Sequence, residues 1–177
     1  MKRGHTMKKI TLIFIILLTA VALFAQNRTQ PATVNVSFHN FAWGTSMEAF
    51  KSKMGNPVHA EEVNGLQSLI YDNLKMTGYS VYMIAYFSQN GLEGGAYYFN
   101  TTSVEELMRC YTDVQNELLA QYGPTLLKEV LLREMRPYET SWDLSSGYIH
   151  LRVNTRQWSE PVTLWYSSPA LTRRLRG

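Results

Sequence analysis

The sequence predicts an α+β fold, two helix-plus-antiparallel-sheet modules in tandem with the helices packed on one face of the sheet. Three observations carry that expectation. Segments 45–54 and 103–122 have apolar residues at helical spacing, with start and stop signals at both ends. Between and after them the apolar period changes to two. Asn64-Gly65, Thr77-Gly78 and Asn90-Gly91 divide the first of these stretches at hairpin intervals.

The chain starts with basic Met1-Lys2-Arg3 and Met7-Lys8-Lys9, then runs apolar from Ile10 to Ala25, softened only by Thr11 and Thr19. That is the layout of a secretory signal, with Ala20, Ala22 and Ala25 as small residues for cleavage. The run falls short of the roughly 20 residues that cross a bilayer, and polar residues follow it. Residues 1–25 are therefore expected to be a signal peptide, with Met1 or Met7 as initiator. Residues 26–177 are expected to form a single α+β domain of two similar halves, about 34–100 and 101–170, working in the periplasm or outside the cell.

Charge and cysteine content narrow the function classes. Setting aside Lys2, Arg3, Lys8 and Lys9 leaves 13 of the 17 basic residues against 14 acids, so the basic balance belongs to the leader and nucleic acid is not an expected partner. The basic run Arg173-Arg174-Leu175-Arg176 reads as a solvated tail. Cys110 is the only cysteine, which excludes an intramolecular disulfide. A domain of about 150 residues buries roughly 68–70% of its surface and can rely on its core.

Val34, Val36 and Phe38 alternate well enough for a first strand. In the first helix, Thr45-Ser46-Met47-Glu48 has the form of a capping box, Met47, Phe50 and Met54 form the stripe, and Gly55 and Pro57 end it. Strands are expected near 58–63, 66–75, 79–88 and 92–100, a four-stranded meander. In the third, Tyr79, Val81, Met83, Ala85 and Phe87 share one face and Ser80, Tyr82, Ile84 and Tyr86 the other. The second helix starts at the box Ser103-Val104-Glu105-Glu106, carries Val104, Leu107, Met108, Tyr111, Val114, Leu118 and Tyr122, and stops at Gly123-Pro124. Residues 126–135 have helical composition, but the repeated plan puts a strand there and the balance leans to strand. Further strands are expected at Gly147–Asn154 and Pro161–Ser167, with 136–146 and 154–161 as loops.

The first helix carries Gly44, a hydroxyl residue two positions on, apolar Phe50 and Met54 six and ten on, then Gly55 and Pro57. This spacing resembles the helix-and-turn signature of the small protein A family, the BamE-type lipoproteins of outer-membrane assembly. That module is in turn similar to each half of the β-lactamase inhibitory protein. The resemblance implies a non-catalytic protein that presents a sheet surface to another protein. The lipid-bearing cysteine of such lipoproteins is absent, since position 26 is Gln, so no lipid anchor is expected.

Motifs for catalysis, metal or cofactor binding are absent, and no cofactor is expected. His39, His59 and His150 are scattered; His150 lies on the polar face of its strand beside Arg152 and near Asp143, so a His–carboxylate unit is conceivable beside the plainer reading of an exposed strand histidine. Cys110 falls on the packed side of its helix. Glu61 and Glu62 are neighbours in a strand and point to opposite faces.

What stands out is aromatic content the helices do not need: Tyr82, Tyr86, Tyr97-Tyr98, Trp158 and Trp165. These residue types dominate binding hot spots. They either line a sheet face covered by loops or form a binding face. The expected function is an exported, non-catalytic, inhibitor-like module that engages a protein or cell-envelope component through Tyr82, Tyr86, Tyr98, Trp158 and Trp165. The alternatives are an enzyme using His150 and Asp143, or a structural envelope protein.

Overall fold

A computed structural model of the chain describes residues 34–124, 138–153 and 162–176. The element order is α1 (Met47–Met54), β1 (His59–Val63), β2 (Leu66–Met76), β3 (Tyr79–Ser88), β4 (Gly91–Phe99), α2 (Val104–Tyr122), β5 (Tyr138–Leu144), β6 (Gly147–Val153), β7 (Val162–Ser167) and α3 (Pro169–Arg176). The fold is α+β, and its seven strands form one sheet in the order β1-β2-β3-β4-β7-β6-β5. Every neighbouring pair is antiparallel. The first four strands and the last three are each a meander, and the two runs meet where β4 pairs with β7 from Gly94↔Ser167 to Phe99↔Val162.

Local chemistry fixes these elements. Asn64-Gly65 and Thr77-Gly78 hold positive φ at both turn residues, 52° and 75° then 52° and 82°, the backbone of a two-residue hairpin. Gly55 and Gly123 close α1 and α2 at φ 83° and 79°, their N–H groups donating to the carbonyls of Lys51 and Leu119. Ser103 caps α2, its hydroxyl accepting from the Glu106 N–H at 3.1 Å. The Glu106 carboxylate reaches back to the N–H and hydroxyl of Thr102, at 2.7 and 2.8 Å, one residue beyond the expected box. In α1 the cap is Ser46 and not Thr45. Thr45 instead donates to the Ala42 carbonyl, so Glu48 falls one position short of closing a box.

One face of the sheet carries the core. Leu69, Tyr71, Val81, Met83, Ala85, Phe87, Leu92, Tyr97, Phe99, Ile149, Leu151, Val153, Val162, Leu164 and Tyr166 are buried there with Phe50 of α1 and Leu107, Cys110, Val114 and Leu118 of α2. Phe50 meets Phe41 at 4.2 Å and the edge of Phe87 at 5.3 Å between ring centroids. Burial pushes the Cys110 thiol up to about 12, which suits packing and not nucleophilic chemistry. Polar groups at the rim are paired: Tyr79 donates to Asp113 at 2.7 Å, and the Trp142 indole N–H to the Gly123 carbonyl at 3.1 Å.

The Gly44 signature has a direct physical role. Gly44 sits at φ 81°, its N–H donates to the Leu92 carbonyl, and the Leu92 N–H returns to the Thr45 carbonyl. A Cβ on Gly91 would lie 2.4 Å from the Gly44 carbonyl oxygen, so the entrance to α1 is docked backbone to backbone onto β4.

Four expectations need correction. Residues 34–38 do not join the sheet: Val36 and Phe38 are buried, but Phe38 forms only a local bridge with Phe41, because the close turn at His39 and Asn40, both at positive φ, doubles the chain back. Residues 138–144, expected as loop, are β5. Tyr138, Thr140, Trp142 and Leu144 alternate with polar residues there, but the Pro137 before them and the Ser145-Ser146-Gly147 turn after them masked the pattern. The basic tail is helix α3, begun by Ser168 as cap and Pro169 in the first turn. It packs on the opposite sheet face from α1 and α2, with Leu171 buried over Gly94, so the helices are not confined to one side. The segment 126–135 lies outside the described residues.

Gly95 faces the core, where an added Cβ would come within 2.1 Å of the Phe38 ring. Gly95→Ala is expected to lower stability by about 1–3 kcal/mol, read as a shift of the urea unfolding midpoint with an unchanged slope.

Candidate functional site

The second face of the sheet is built by the residues that alternate with the core. Cross-strand register sets them in rows: Tyr82 beside Tyr98, then Thr163 and Arg152; Ile84 beside Ala96, Trp165 and His150; and Tyr86 beside Gly94, Ser167 and Tyr148. Tyr82 and Tyr98 stack at 4.6 Å with 1° between ring planes, as directly opposed cross-strand residues do. Tyr86 and Trp165 belong to strands two apart, yet their rings meet at 5.1 Å. They meet over β4 because the residues beneath them, Gly94 and Ala96, are the smallest available. Tyr82, Tyr86, Tyr98 and Trp165 are all half-buried on this face. The structure thus brings together four of the five expected binding residues; Trp158 lies outside the described residues.

Helix α3 covers one end of the same face. The Thr172 hydroxyl donates to the Ser168 carbonyl at 2.9 Å and bonds Ser167 Oγ at 2.7 Å. Arg174 approaches Glu93 at 3.2 Å. Glu93 is the extra residue of a bulge in β4, and it is buried although it carries a carboxylate. Ser88 donates to it at 2.6 Å. Arg176 donates to Asp143 at 2.8 Å and its guanidinium lies 4.8 Å from the Tyr148 ring centroid. Between α3 and the sheet is a groove of about 350 Å³ lined by Tyr148, His150, Trp165, Ser167, Thr172, Leu175 and Arg176.

The expected pairing of His150 with Asp143 is not what forms. Asp143 is opposite Tyr148 and is taken by Arg176. His150 instead lies 3.6 Å from Glu139, which also holds Arg152 at 3.4 Å. Burial holds the His150 imidazole below its ordinary value of 6.5, and the neighbouring Glu139 carboxylate opposes that shift. His39, on the core side, is also lowered by burial and shares a 2.8 Å hydrogen bond with the Tyr97 hydroxyl, which places Tyr97 in the core and apart from Tyr98.

Tyr148, Glu139, Glu93 and α3 escaped the reading from sequence. Tyr148 alternates with Ile149 on the face of His150 and was legible there. The other three depended on β5, on a bulge and on a helix start whose Ser168-Pro169 signal is short. Among the described residues no three His, Cys, Asp or Glu side chains converge as a metal site requires. Nor is any described helix long and apolar enough to cross a membrane.

No protein-family model matches the chain, and no curated protein does. Among solved structures it is similar to a DUF4309 family protein, YjgB, from Bacillus subtilis subsp. subtilis str. 168, at 13% identity over 72% of this chain and 81% of that one, with a TM-score of 0.45. It is also similar to an extracellular protein containing a SCP domain from Bacillus anthracis str. Ames, at 14% identity over 84% of this chain, with a TM-score of 0.43. The match spans about half, 52%, of that second protein. Likenesses this distant say nothing of what the chain binds.

The His150 shift yields a signed prediction. A histidine whose folded value is lowered leaves stability at its full level above about 6.5 and costs the fold progressively as pH falls from that unfolded value through the folded one. By NMR titration, His150 is expected to titrate below 6.5, and Glu139→Gln to move its midpoint lower still, since the carboxylate that favours the charged imidazole is gone.

Proposed function

We propose that the chain is an exported, non-catalytic binding module, inhibitor-like in kind, that engages a protein or another cell-envelope component through the sheet face opposite α1 and α2. The observation that carries this reading is the set of rings on that face. Tyr82 stacked on Tyr98, Tyr86 against Trp165, and Tyr148 beside the groove are rigid amphipathic groups held in place by cross-strand register. Aromatic residues of this kind concentrate binding energy because they offer area at small entropic cost. Export is supported by the apolar leader of residues 10–25 with its basic start.

The same proposal takes the chain as two helix-plus-sheet modules in tandem, about 34–100 and 101–170, of the small protein A or BamE type and duplicated as in the β-lactamase inhibitory protein. Supporting it, β2-β3-β4 and β5-β6-β7 mirror one another about the β4–β7 junction, and a Ser-capped helix precedes each run. The Gly44 signature lies at the first such helix, where it acts as a docking device.

A second reading, an enzyme, is favoured by one observation: His150 lines a groove, is partly buried and has a lowered proton affinity. Glu139 and not Asp143 would then orient it. Against it, the two hydroxyls that share the groove, Ser167 and Thr172, bond one another.

Capture from the envelope fraction distinguishes these. Tyr82→Ala/Tyr86→Ala is expected to stay folded, losing about 0.5–1.5 kcal/mol for each ring pair it breaks, and to lose the partner that the parent protein retains. His150→Asn is expected to leave capture intact. Capture that survives the double variant would remove this face from the binding surface.

A further inference from the structure

We propose that the groove between α3 and the ends of β6 and β7 is a glycan subsite, taking a neutral sugar ring of a cell-envelope polysaccharide with Trp165 as its stacking wall. The inference rests on the reading of this face as a binding surface and names the ligand class at one end of it.

The lining chemistry selects among ligands. Its volume of about 350 Å³ suits a small ligand, near the lower end of ordinary sites. Of the seven lining residues only Leu175 is aliphatic, and it stands at the rim, 65% exposed. A groove without an aliphatic floor is poorly matched to a greasy anchor from a protein partner, which seeks a dry apolar pocket.

The charges are neutralised in place. Arg176 is held by Asp143, His150 and Arg152 share Glu139, and Arg174 is spent on Glu93. The groove therefore has little uncompensated charge with which to select an ion. What it does offer is flat aromatic surface beside a mixed set of donors and acceptors.

Those donors and acceptors suit hydroxyl groups. The Thr172 hydroxyl donates to the Ser168 carbonyl, so the Ser167 hydroxyl is the donor in the Ser167–Thr172 bond. Ser167 is buried beneath the groove at 1% exposure, and the partly exposed Thr172 oxygen keeps acceptor capacity. The Arg176 guanidinium has five N–H groups, some of which serve Asp143 and Tyr148, and the others can donate. A sugar hydroxyl both donates and accepts, and so satisfies both kinds of partner. The apolar face of a pyranose ring meets the plane of Trp165, while Tyr148 holds the Arg176 guanidinium at the side of the groove.

The test is calorimetric titration of the folded protein with a panel of neutral oligosaccharides, the tetramers of N-acetylglucosamine, glucose and xylose, to millimolar concentration. Saturable binding of one of them is expected. Trp165→Ala is expected to weaken it by roughly tenfold or more, and Trp165→Phe to retain most of it, as loss and conservation of a stacking ring require. Tyr148→Ala, which removes the ring that holds Arg176 at the groove, provides a second variant expected to weaken binding should Trp165→Ala fail to fold. No saturable binding by any of the three sugars would overturn the proposal, as would binding that survives both alanine variants. If the sugars fail while the parent protein still captures a partner that Tyr82→Ala/Tyr86→Ala loses, the binding face stands and the glycan subsite falls.

Discussion

Strand β4 is the constraint on which both sides of the molecule depend. It sits at the middle of a seven-stranded sheet and must carry the contact between two meanders, yet its centre reads Gly94-Gly95-Ala96. Glycine in a strand interior weakens it, having more freedom to lose and no side chain to pack. The cost is offset from both faces. The Phe38 ring occupies the space a Gly95 side chain would fill, and Leu171 occupies that over Gly94. The N-terminal lead-in and the C-terminal helix are thus seated on the adjacent residues Gly95 and Gly94, from opposite faces.

The bare centre of β4 also explains why aromatic residues on separate strands reach one another. Tyr86 and Trp165 converge across it, whereas Tyr82 and Tyr98 need no such clearance because they are directly paired. Trimming one strand to glycine and alanine lets rings from its two neighbours meet across it. The same trimming admits α3, and the groove is the space between that helix and the sheet, lined by Trp165 and Tyr148.

Much of the fold was legible because its signals are local. The Asn64-Gly65 and Thr77-Gly78 pairs can hardly be anything but hairpin turns, and Gly55 and Gly123 stop helices by a mechanism that needs no tertiary context. Tyr82 and Tyr86 could be assigned to the outer face from alternation alone. What sequence could not supply was decided by partners far along the chain. Glu93 reads as an ordinary strand carboxylate until the bulge buries it and Arg174 arrives from α3. Asp143 and His150 look like a pair in print, but register sets Asp143 against Tyr148 and leaves His150 to Glu139. Residues 34–38 alternate like a strand, but the turn at His39-Asn40 carries the chain away before a neighbour can be found.

The margin formed by β1 has a consequence for how the molecule behaves in a crowd. All five of its residues are exposed, and Glu61 and Glu62 place a carboxylate on each side of the strand. A sheet edge is an open template for another chain, and an apolar edge would invite fibrous growth. Here a second copy adding antiparallel to β1 with either glutamate opposite its own counterpart would set carboxylate against carboxylate on that surface, and like charges directly opposed repel. The strand ends the sheet by being charged on both sides, which leaves a broad, ring-rich face on a molecule whose β1 edge resists self-assembly.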